Sequence, residues 1–219
     1  MDIIEKRLRR TRIKICGLTR EEDVDAAVAA GADAVGFILY RESPRVISVE
    51  RALELSKRLP PFVTPVVLFV NAKVHEILLV QENIPNATFQ FHGDEEPYWC
   101  ESWGRPFLKG IRVHSDTDLV KLSQDYASAQ ALVLDSDSKA YGGSGKVFDW
   151  SLIPHDIGVQ AVLSGGLNAA NVKQAILQVQ PWAVDVCTGV EVSPGIKDAK
   201  AIQHFVQSVR VADACLFEN

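Results

Sequence analysis

Two residues of this sequence, Cys16 and Asp135, have side chains and local settings suited to moving protons. Cys16 stands in Lys-Ile-Cys-Gly-Leu-Thr (14–19), at the end of a short run that reads as a strand. Because Gly17 has no side chain, the backbone can turn sharply there and leave the sulfur uncovered. A thiol, with an ordinary pKa of about 8.5, needs only modest help to serve as a base near neutral pH. The alternative for Cys16 is the role of a small buried apolar residue.

Asp135 closes the apolar run Ala-Leu-Val-Leu-Asp-Ser (131–136). A single carboxyl group at the end of a buried strand is suited to act as a general acid, because partial burial raises the pKa of a carboxyl group. The alternative is an Asp that caps the following loop. The strands that carry Cys16 and Asp135 are not neighbours, so the two side chains can face each other with a substrate between them.

Lys14 lies two residues before Cys16, so both side chains point to the same face of an extended strand. We expect Lys14 to lie one layer deeper, where a buried ammonium group requires a partner. Asp185, on the last predicted strand, is our candidate for that partner. The pair could serve structure alone, or it could also tune the electrostatic field around the sulfur.

Three glycine-rich segments follow the last three predicted strands and together indicate a phosphate site. Glycine lets backbone N–H groups approach an anion closely, and the loops after strands seven and eight of an α/β barrel often bind phosphate in this way. Plain turns are the alternative for any one segment, whereas three in succession favour the phosphate site. The candidate phosphate-binding residues are Gly142, Gly143, Ser144, Gly145, Ser164, Gly165, Gly166, Cys187, Thr188 and Gly189.

Arg45, Gln90 and His92 are candidate substrate-binding residues. Arg45 stands in Tyr-Arg-Glu-Ser-Pro-Arg (40–45), where its planar guanidinium could pair with a substrate carboxylate. A surface arginine is the alternative for Arg45, and Arg41 is a rival for the same role. Gln90 and His92 are two residues apart and share one face of a strand. For His92, a structural histidine with satisfied hydrogen bonds is the simpler alternative.

The elements that must position these residues alternate regularly between short apolar runs and helical segments. The predicted helices begin after Thr19, Ser48 and Asn168 as N-caps, and Gly31 ends the first of them. Each predicted strand is followed by a helical segment, and Pro65 interrupts the third strand. The eight predicted strands span residues 12–16, 33–39, 63–70, 88–91, 106–113, 131–134, 159–163 and 182–186.

This count of βα units predicts an α/β fold, a single (β/α)8 TIM barrel over residues 12–219 with an N-terminal extension over residues 1–11. An open doubly wound sheet is the rival fold. The count of eight βα units argues against this rival fold, as does the lack of a Gly-x-Gly-x-x-Gly motif after the first strand. Active residues of a barrel lie at the C-terminal strand ends and in the loops that follow, which is where the residues named above fall.

Composition narrows the range of partners. The chain has 219 residues, 47% of them hydrophobic, and a formal net charge of −5. This charge argues against nucleic acid or an anionic membrane as the main partner, but not against a small anion held by local donors. No apolar run approaches the roughly 18 residues of a membrane span, and residues 1–11 lack the apolar centre of a signal peptide. The four cysteines show no metal-type spacing, so we expect free thiols and a cytoplasmic protein.

Together these motifs resemble the phosphoribosylanthranilate isomerase family, which catalyses the third step of tryptophan synthesis. The resemblance runs from about Arg12 to Val209. The family usually has Ser-Ser where this chain has Cys187-Thr188, a change that a phosphate site built from backbone N–H groups would tolerate. Besides the segments above, the matching motifs are Gly-Ala-Asp-Ala-Val-Gly-Phe (31–37), Ser-Pro-Arg-Val-Ile-Ser (43–48), Phe-Gln-Phe-His-Gly (89–93), Tyr-Gly-Gly-Ser-Gly-Lys-Val-Phe-Asp-Trp (141–150), Leu-Ser-Gly-Gly-Leu (163–167), Val-Asp-Val-Cys-Thr-Gly-Val-Glu (184–191) and Pro-Gly-Ile-Lys-Asp (194–198).

The resemblance implies an Amadori rearrangement of N-(5-phosphoribosyl)anthranilate to 1-(2-carboxyphenylamino)-1-deoxyribulose 5-phosphate. Asp135 would be the general acid that opens the furanose ring, and Cys16 the general base that takes the proton from C2′. Arg45 would hold the anthranilate carboxylate, and the glycine loops the phosphate. Neither a metal nor a cofactor is implied, because the substrate's own nitrogen accepts the electron pair. The protein would act on this small anionic substrate as a monomer or homodimer, without nucleic acid or membrane.

Two other functions stay open from the sequence. One is another phosphate-binding barrel enzyme, such as indole-glycerol-phosphate synthase, which relies on Lys and Glu at strand ends in a pattern not seen here. The other is a non-catalytic barrel that binds a sugar phosphate as a sensor, against which the presence of both Cys16 and Asp135 counts.

Overall fold

A computed structural model describes residues 10–136 and 147–217 of the chain. Within these residues, eight parallel strands pair in sequence order, and the first strand also pairs with the eighth. This closure confirms the predicted (β/α)8 barrel and excludes an open sheet. The strands are β1 (Arg12–Cys16), β2 (Ala34–Ile38), β3 (Thr64–Phe69), β4 (Thr88–Phe91), β5 (Phe107–Val113), β6 (Ala131–Ser136), β7 (Ala161–Leu163) and β8 (Ala183–Val186).

Helices follow the strands and cover the outside of the barrel. No helix in the described residues is long and apolar enough to cross a bilayer. A short antiparallel hairpin of β9 (Glu191–Ser193) and β10 (Ile196–Lys197) follows β8, and the sequence analysis did not predict it. The α-helices are α1 (Glu21–Ala30), α2 (Val49–Ser56), α3 (Val74–Asn83), α4 (Pro97–Glu101), α5 (Leu119–Asp125), α6 (Val172–Val179) and α7 (Ala199–Phe217), and 3-10 turns span Trp150–Leu152 and Thr188–Val190.

Side chains along each strand alternate between two cores, one between the strands and the helices and one inside the barrel. Outward-facing side chains, such as Ile15, Phe89 and Leu134, pack against the helices in the larger core. Apolar side chains fill the lower half of the barrel interior, and Lys14, Gln90 and Asp185 lie above this layer, toward the C-terminal mouth. The lower layer consists of Val66, Leu108, Ala131, Val133, Val162 and Ala183.

The structure confirms two of the predicted helix ends and contradicts a third. Ser48 caps α2 by accepting from the Arg51 N–H, and Gly31 ends α1 in the left-handed conformation, as predicted. Thr19 is not an N-cap, because α1 begins one residue later and the Thr19 hydroxyl donates to the Gly195 carbonyl at 2.6 Å. A tertiary contact therefore replaces the local cap.

Two further predictions about local structure were wrong. Asn168 does not cap α6, which begins after Asn171; instead the Asn168 side chain accepts from the Ala170 N–H at 2.9 Å in a turn of its own. Pro65 does not interrupt β3 but lies inside it, near its start, where the loss of one donor is tolerated.

Arg10 and Thr11, the last two residues of the predicted N-terminal extension, contact the barrel whose first strand begins at Arg12. Thr11 is buried, and its N–H and hydroxyl donate to the Asp213 carboxylate of α7 at 3.0 and 2.6 Å. Arg10 forms an ion pair with Asp33. These two residues therefore pack against the barrel, and residues 1–9 of the predicted extension lie outside the described residues.

A buried ion pair anchors the loop that follows β4. Lys109 of β5 pairs with Glu95 at 3.0 Å, and each side chain is 3% exposed. The Glu95 carboxylate also accepts from the backbone N–H groups of Asn71 and Gly93, at 2.7 and 2.9 Å. Lys109 donates in addition to the Gly93 carbonyl at 2.7 Å. This network holds the end of β4, and with it His92, against the ends of β3 and β5.

We expect Glu95→Gln to lower the free energy of unfolding by about 3 kcal/mol or more, because it leaves the Lys109 charge buried without its partner. Urea denaturation followed by circular dichroism measures the change. The control is Asp125→Asn, which breaks the exposed Lys121–Asp125 pair of α5 and should cost less than about 0.5 kcal/mol. Equal losses in the two variants would show that the buried pair is no more important than the surface pair.

Candidate active site

A buried ion pair lies directly beneath Cys16. Lys14 faces Asp185 in the register between β1 and β8, and its Nζ lies 3.0 Å from the Asp185 Oδ2. Both side chains are almost fully buried. Gly36, on β2, leaves room for this group: a Cβ there would lie 2.7 Å from the Cys16 Sγ and 3.2 Å from the Lys14 Nζ. The predicted Lys14–Asp185 pair is confirmed, and it stands next to the sulfur.

Burial and charge act in opposite directions on the Cys16 thiol. Burial raises its pKa above the ordinary value, the ammonium group of Lys14 lowers it, and Asp185 raises it again. For Lys14, burial would lower the pKa, but Asp185 and Cys16 hold it above its ordinary value. Lys14 therefore stays protonated and is the main group that favours a thiolate at Cys16.

Cys16 is buried rather than uncovered at the mouth as predicted. It is only 4% exposed. Gly17 does adopt a left-handed turn, but the space beside it is filled, since a Cβ at Gly17 would lie 2.7 Å from the Arg45 Cδ and 3.0 Å from the Cys187 Sγ. Side chains from loops two and eight thus fill the space beside Gly17, next to Cys16.

Cys187 brings a second thiol to the same end of the barrel. Ile15 of β1 is in register with Val186 of β8, so Cys16 and Cys187 are the next residues along their chains. The Lys197 Nζ donates to the Cys187 carbonyl at 3.0 Å and lies 3.7 Å from its Sγ. Burial raises the pKa of Cys187 to about 12, against the opposing effect of Lys197. The second thiol is therefore neutral.

Arg45 lies in a buried charged cluster with Glu191 and Lys197. Its Nε and Nη2 each donate to one Glu191 oxygen at 2.8 Å, and the Lys197 Nζ donates to the Glu191 Oε1 at 2.8 Å. Burial alone would raise the pKa of Glu191, but the two cations hold it below its ordinary value. Two cations around one carboxylate leave a net charge of +1, suited to a further anion. The rival Arg41 is exposed and reaches Glu76 instead.

Asp135 stands on β6, at the opposite side of the mouth from this cationic group. Its Oδ1 accepts from the Ser136 N–H at 2.7 Å, and its Oδ2 lies 3.3 Å from the His92 Nε2. The Gln90 Nε2 lies 3.1 Å from the His92 Nδ1. Gln90 is fully buried beneath the imidazole, which argues against the predicted direct contact between Gln90 and a substrate. His92 is held on both sides, as the structural alternative expected, but one of its partners is the candidate acid.

The loops after β7 and β8 contact each other. A Cβ at Gly189 would overlap the Leu167 carbonyl oxygen, so only glycine allows this approach. Gly165 has a positive φ, and a Cβ there would lie 3.0 Å from the Asp135 Oδ1. Of the predicted phosphate residues, Ser164, Gly165 and Gly166 thus follow β7 beside Asp135, and the loop of Cys187, Thr188 and Gly189 contacts the loop after β7 through Gly189. Gly142, Gly143, Ser144 and Gly145 lie outside the described residues.

Known proteins match this chain over most of its length. Residues 13–208 match the family model described as N-(5'phosphoribosyl)anthranilate (PRA) isomerase. The chain belongs to this family. Proteins named N-(5'-phosphoribosyl)anthranilate isomerase from Methylibium petroleiphilum and Leptothrix cholodnii are 58% and 57% identical to it, over 94% of this chain and 96% and 93% of theirs.

Solved structures of phosphoribosylanthranilate isomerases share the fold. The crystal structure of the Thermotoga maritima protein is 42% identical, has a TM-score of 0.85, and is matched over 92% of this chain and 99% of that one. A second structure holds reduced 1-(o-carboxyphenylamino)-1-deoxyribulose 5-phosphate; it is 39% identical with a TM-score of 0.81, over 92% of this chain and 99% of that one.

Two charged residues of this phosphoribosylanthranilate isomerase family member were not predicted as functional. Glu191 and Lys197 stand at the two ends of the β9–β10 hairpin and meet Arg45 from the second loop. Pro194-Gly195 is a turn signal that would have predicted the hairpin. The contact to Arg45 joins residues that are 146 positions apart, and no local pattern indicates it.

We expect Lys14→Met to raise the pKa of Cys16 further, because it removes the nearest cation and leaves the Asp185 charge unopposed. Lys14→Met combined with Asp185→Leu should give a value between that of the single variant and that of the unaltered protein. The pH dependence of iodoacetamide alkylation, followed at the Cys16 peptide by mass spectrometry, measures each pKa. The assignment is wrong if alkylation of the single variant titrates at the same pH as the unaltered protein or lower.

Proposed function

We propose that this chain isomerises N-(5'-phosphoribosyl)anthranilate to 1-(2-carboxyphenylamino)-1-deoxyribulose 5-phosphate, an Amadori rearrangement that is the third step of tryptophan biosynthesis. Family membership supports the proposal, as do relatives of that name that match nearly the whole chain. The observation that carries it is the placement of two opposed proton-transfer groups, Cys16 among cations and Asp135 beside an imidazole, at one end of the barrel.

The first step assigned to this site is ring opening. Asp135 gives its carboxyl proton to the ring oxygen of the furanose while the bond from that oxygen to C1′ breaks. The lone pair of the anthranilate nitrogen forms the C1′–N double bond, so the product is a protonated Schiff base. Asp135 is left as a carboxylate, and its Oδ1 already accepts from the Ser136 N–H.

The second step is removal of the C2′ proton. Cys16, as thiolate, takes this proton, and the C–H electron pair flows into the Schiff base to give an enolamine. The substrate's nitrogen is the electron acceptor, so the proposed steps use neither metal nor organic cofactor. Tautomerisation then returns a proton to C1′ and gives the ketone. The ammonium of Lys14, next to Cys16, favours the thiolate that this step requires.

The two anionic ends of the substrate fit two different parts of the site. We assign the anthranilate carboxylate to Arg45, whose orientation Glu191 fixes and whose cluster carries a net positive charge. We assign the phosphate to the backbone of residues 164–166 and 187–189, with residues 142–145 as further candidates. A rigid mouth between these two anchors would hold C1′ and C2′ between Asp135 and Cys16.

The proposal also covers the oligomeric state of the protein and its cellular compartment. Crystal structures of the Thermotoga maritima enzyme describe monomers generated from a dimeric protein, and we propose a monomer or a homodimer for this chain, to be settled by sedimentation velocity. None of the four cysteines, all of which lie in the described residues, forms a disulfide. This supports a reducing compartment, and we place the protein in the cytoplasm.

Loss of the anthranilate-adduct fluorescence, when the purified protein meets freshly made phosphoribosylanthranilate, measures turnover directly. We expect Cys16→Ala and Asp135→Asn each to lower kcat by about 100-fold or more, the scale of general acid–base groups. Cys215→Ala in α7 and Asp125→Asn in α5 are the matched controls and should keep the full rate. No turnover by the unaltered protein would refute the function; a near-normal rate in Cys16→Ala would refute the base alone.

Glu191→Gln should raise KM by about 10-fold with kcat nearly unchanged, because it loosens a group that binds the substrate and its transition state alike. The steady-state fluorescence assay separates the two constants, and a thermal melt checks that the variant folds. Glu54→Gln, in an exposed pair with Arg51, is the matched control with no expected effect. A fall in kcat without a change in KM would show that Glu191 acts on the chemical step instead.

A further inference from the structure

Three polar side chains form a line from the barrel interior to the candidate acid. Gln90, fully buried on β4, lies with its Nε2 3.1 Å from the His92 Nδ1. The His92 Nε2, at the other end of the ring, lies 3.3 Å from the Asp135 Oδ2. The candidate acid is thus connected, through one imidazole, to an amide that no molecule in the mouth can reach.

This arrangement selects one tautomer of His92. The amide nitrogen of Gln90 is a donor only, so the imidazole nitrogen that it faces, Nδ1, must accept. A neutral imidazole carries one proton, which is then on Nε2 and points at the Asp135 carboxyl group. This orientation turns the imidazole N–H toward the Asp135 Oδ2, 3.3 Å from Nε2, and it holds only while Gln90 presents its nitrogen.

The position of the ring is enforced by the neighbouring strand. A Cβ at Gly110 on β5 would lie 2.8 Å from the His92 Cγ and 2.9 Å from its Cε1, so no larger residue fits there without moving the ring. The His92 N–H also donates to the Phe69 carbonyl at 2.8 Å. Contacts with β5 and Asp135, and the backbone hydrogen bond of His92 to β3, thus restrict the position of the imidazole ring.

A packing role alone does not account for Gln90. Its Oε1 is buried and has no hydrogen-bond partner among the described residues. A buried polar atom without a hydrogen-bond partner destabilises the fold, and Met would fill similar space without that loss. The unpartnered oxygen is the consequence of turning the nitrogen toward His92, which points to a function for that orientation.

We propose that His92 is a positioning residue that prepares Asp135 to give up its proton, and that Gln90 fixes the imidazole in the required tautomer. The inference rests on the proposed function, in which Asp135 is the general acid. One proton leaves the Asp135 carboxyl group for the ring oxygen of the substrate, while the imidazole keeps its own proton on Nε2 throughout. The carboxylate that forms then accepts from His92 on Oδ2 and from the Ser136 N–H on Oδ1.

The length of the contact fits this role. At 3.3 Å it is longer than the roughly 2.7–2.9 Å of a hydrogen bond to a charged partner. It can therefore shorten as negative charge develops on Asp135, and an interaction that strengthens during proton transfer lowers the barrier rather than merely binding the substrate.

The first test reads the tautomer directly and does not depend on turnover. Nitrogen-15 NMR of histidine-labelled protein near neutral pH should show His92 neutral, with its proton on Nε2; the signal is assigned by its loss in His92→Gln. In Gln90→Met, which cannot donate, the two tautomers should mix. A proton on Nδ1 of the unaltered protein, or an imidazolium, would overturn the proposal whether or not the chain is an isomerase.

The second test separates a role through Asp135 from a structural role. His92→Leu should lower kcat by about 10- to 100-fold with KM nearly unchanged, the scale of a single preorganised donor, and His92→Gln, which keeps an N–H, should recover most of the loss. In an Asp135→Asn background, His92→Leu should cost nothing more, because the group it serves is gone. The same loss in both backgrounds overturns the proposal. His204→Leu, on the exposed face of α7, is the control and should keep the full rate.

Discussion

Lys14 and Asp185 lie side by side on the first and last strands of the barrel, so their ion pair crosses the line where the sheet closes. Neither charge can stay inside the barrel without the other, because an unpaired buried charge costs several kcal/mol. The pair therefore requires β1 and β8 to meet in one register. The same register sets Cys16 directly above the ammonium group and brings Cys187 beside it. Closure of the barrel and the electrostatic environment of the Cys16 thiol thus depend on one contact.

The buried charges divide the mouth into two unlike halves. Around Cys16 stand Lys14 and the Arg45–Glu191–Lys197 cluster, where cations outnumber carboxylates. A surplus of positive charge favours a thiolate and an anionic substrate group. Asp135 lies outside this cluster, and its Oδ2 faces the His92 Nε2 at 3.3 Å. This asymmetry agrees with the proposed roles of Cys16 as general base and Asp135 as general acid.

Strand periodicity and end position made much of this arrangement predictable. Alternation along β1 and β8 was enough to pair Lys14 with Asp185, and position at a strand end singled out Asp135. The parts of the site that could not be predicted from the sequence depend on contacts between distant segments. Glu191 meets Arg45 only because a hairpin folds back over the mouth, and Thr19 gives up a helix cap for a bond to that same hairpin. Predictions from local sequence use only the residues that are close along the chain. The contacts of Arg45, Glu191 and Thr19 are made with residues that are distant in sequence but close in space.

Cys187, which departs from the resembled family motif, lies beside Cys16 at the closure of the barrel. Where the family usually has a serine, Cys187 turns its sulfur toward Gly17 and Lys197. Its carbonyl, not its side chain, makes the closest contact with Lys197, so the exchange leaves the anchoring bond unchanged. Because burial raises the pKa of Cys187 to about 12, this thiol stays neutral and adds no negative charge beside Cys16. A carboxylate at position 187 would raise the pKa of Cys16. The backbone N–H groups of this loop do not depend on the side chain at position 187, and they remain the part of the segment suited to bind phosphate.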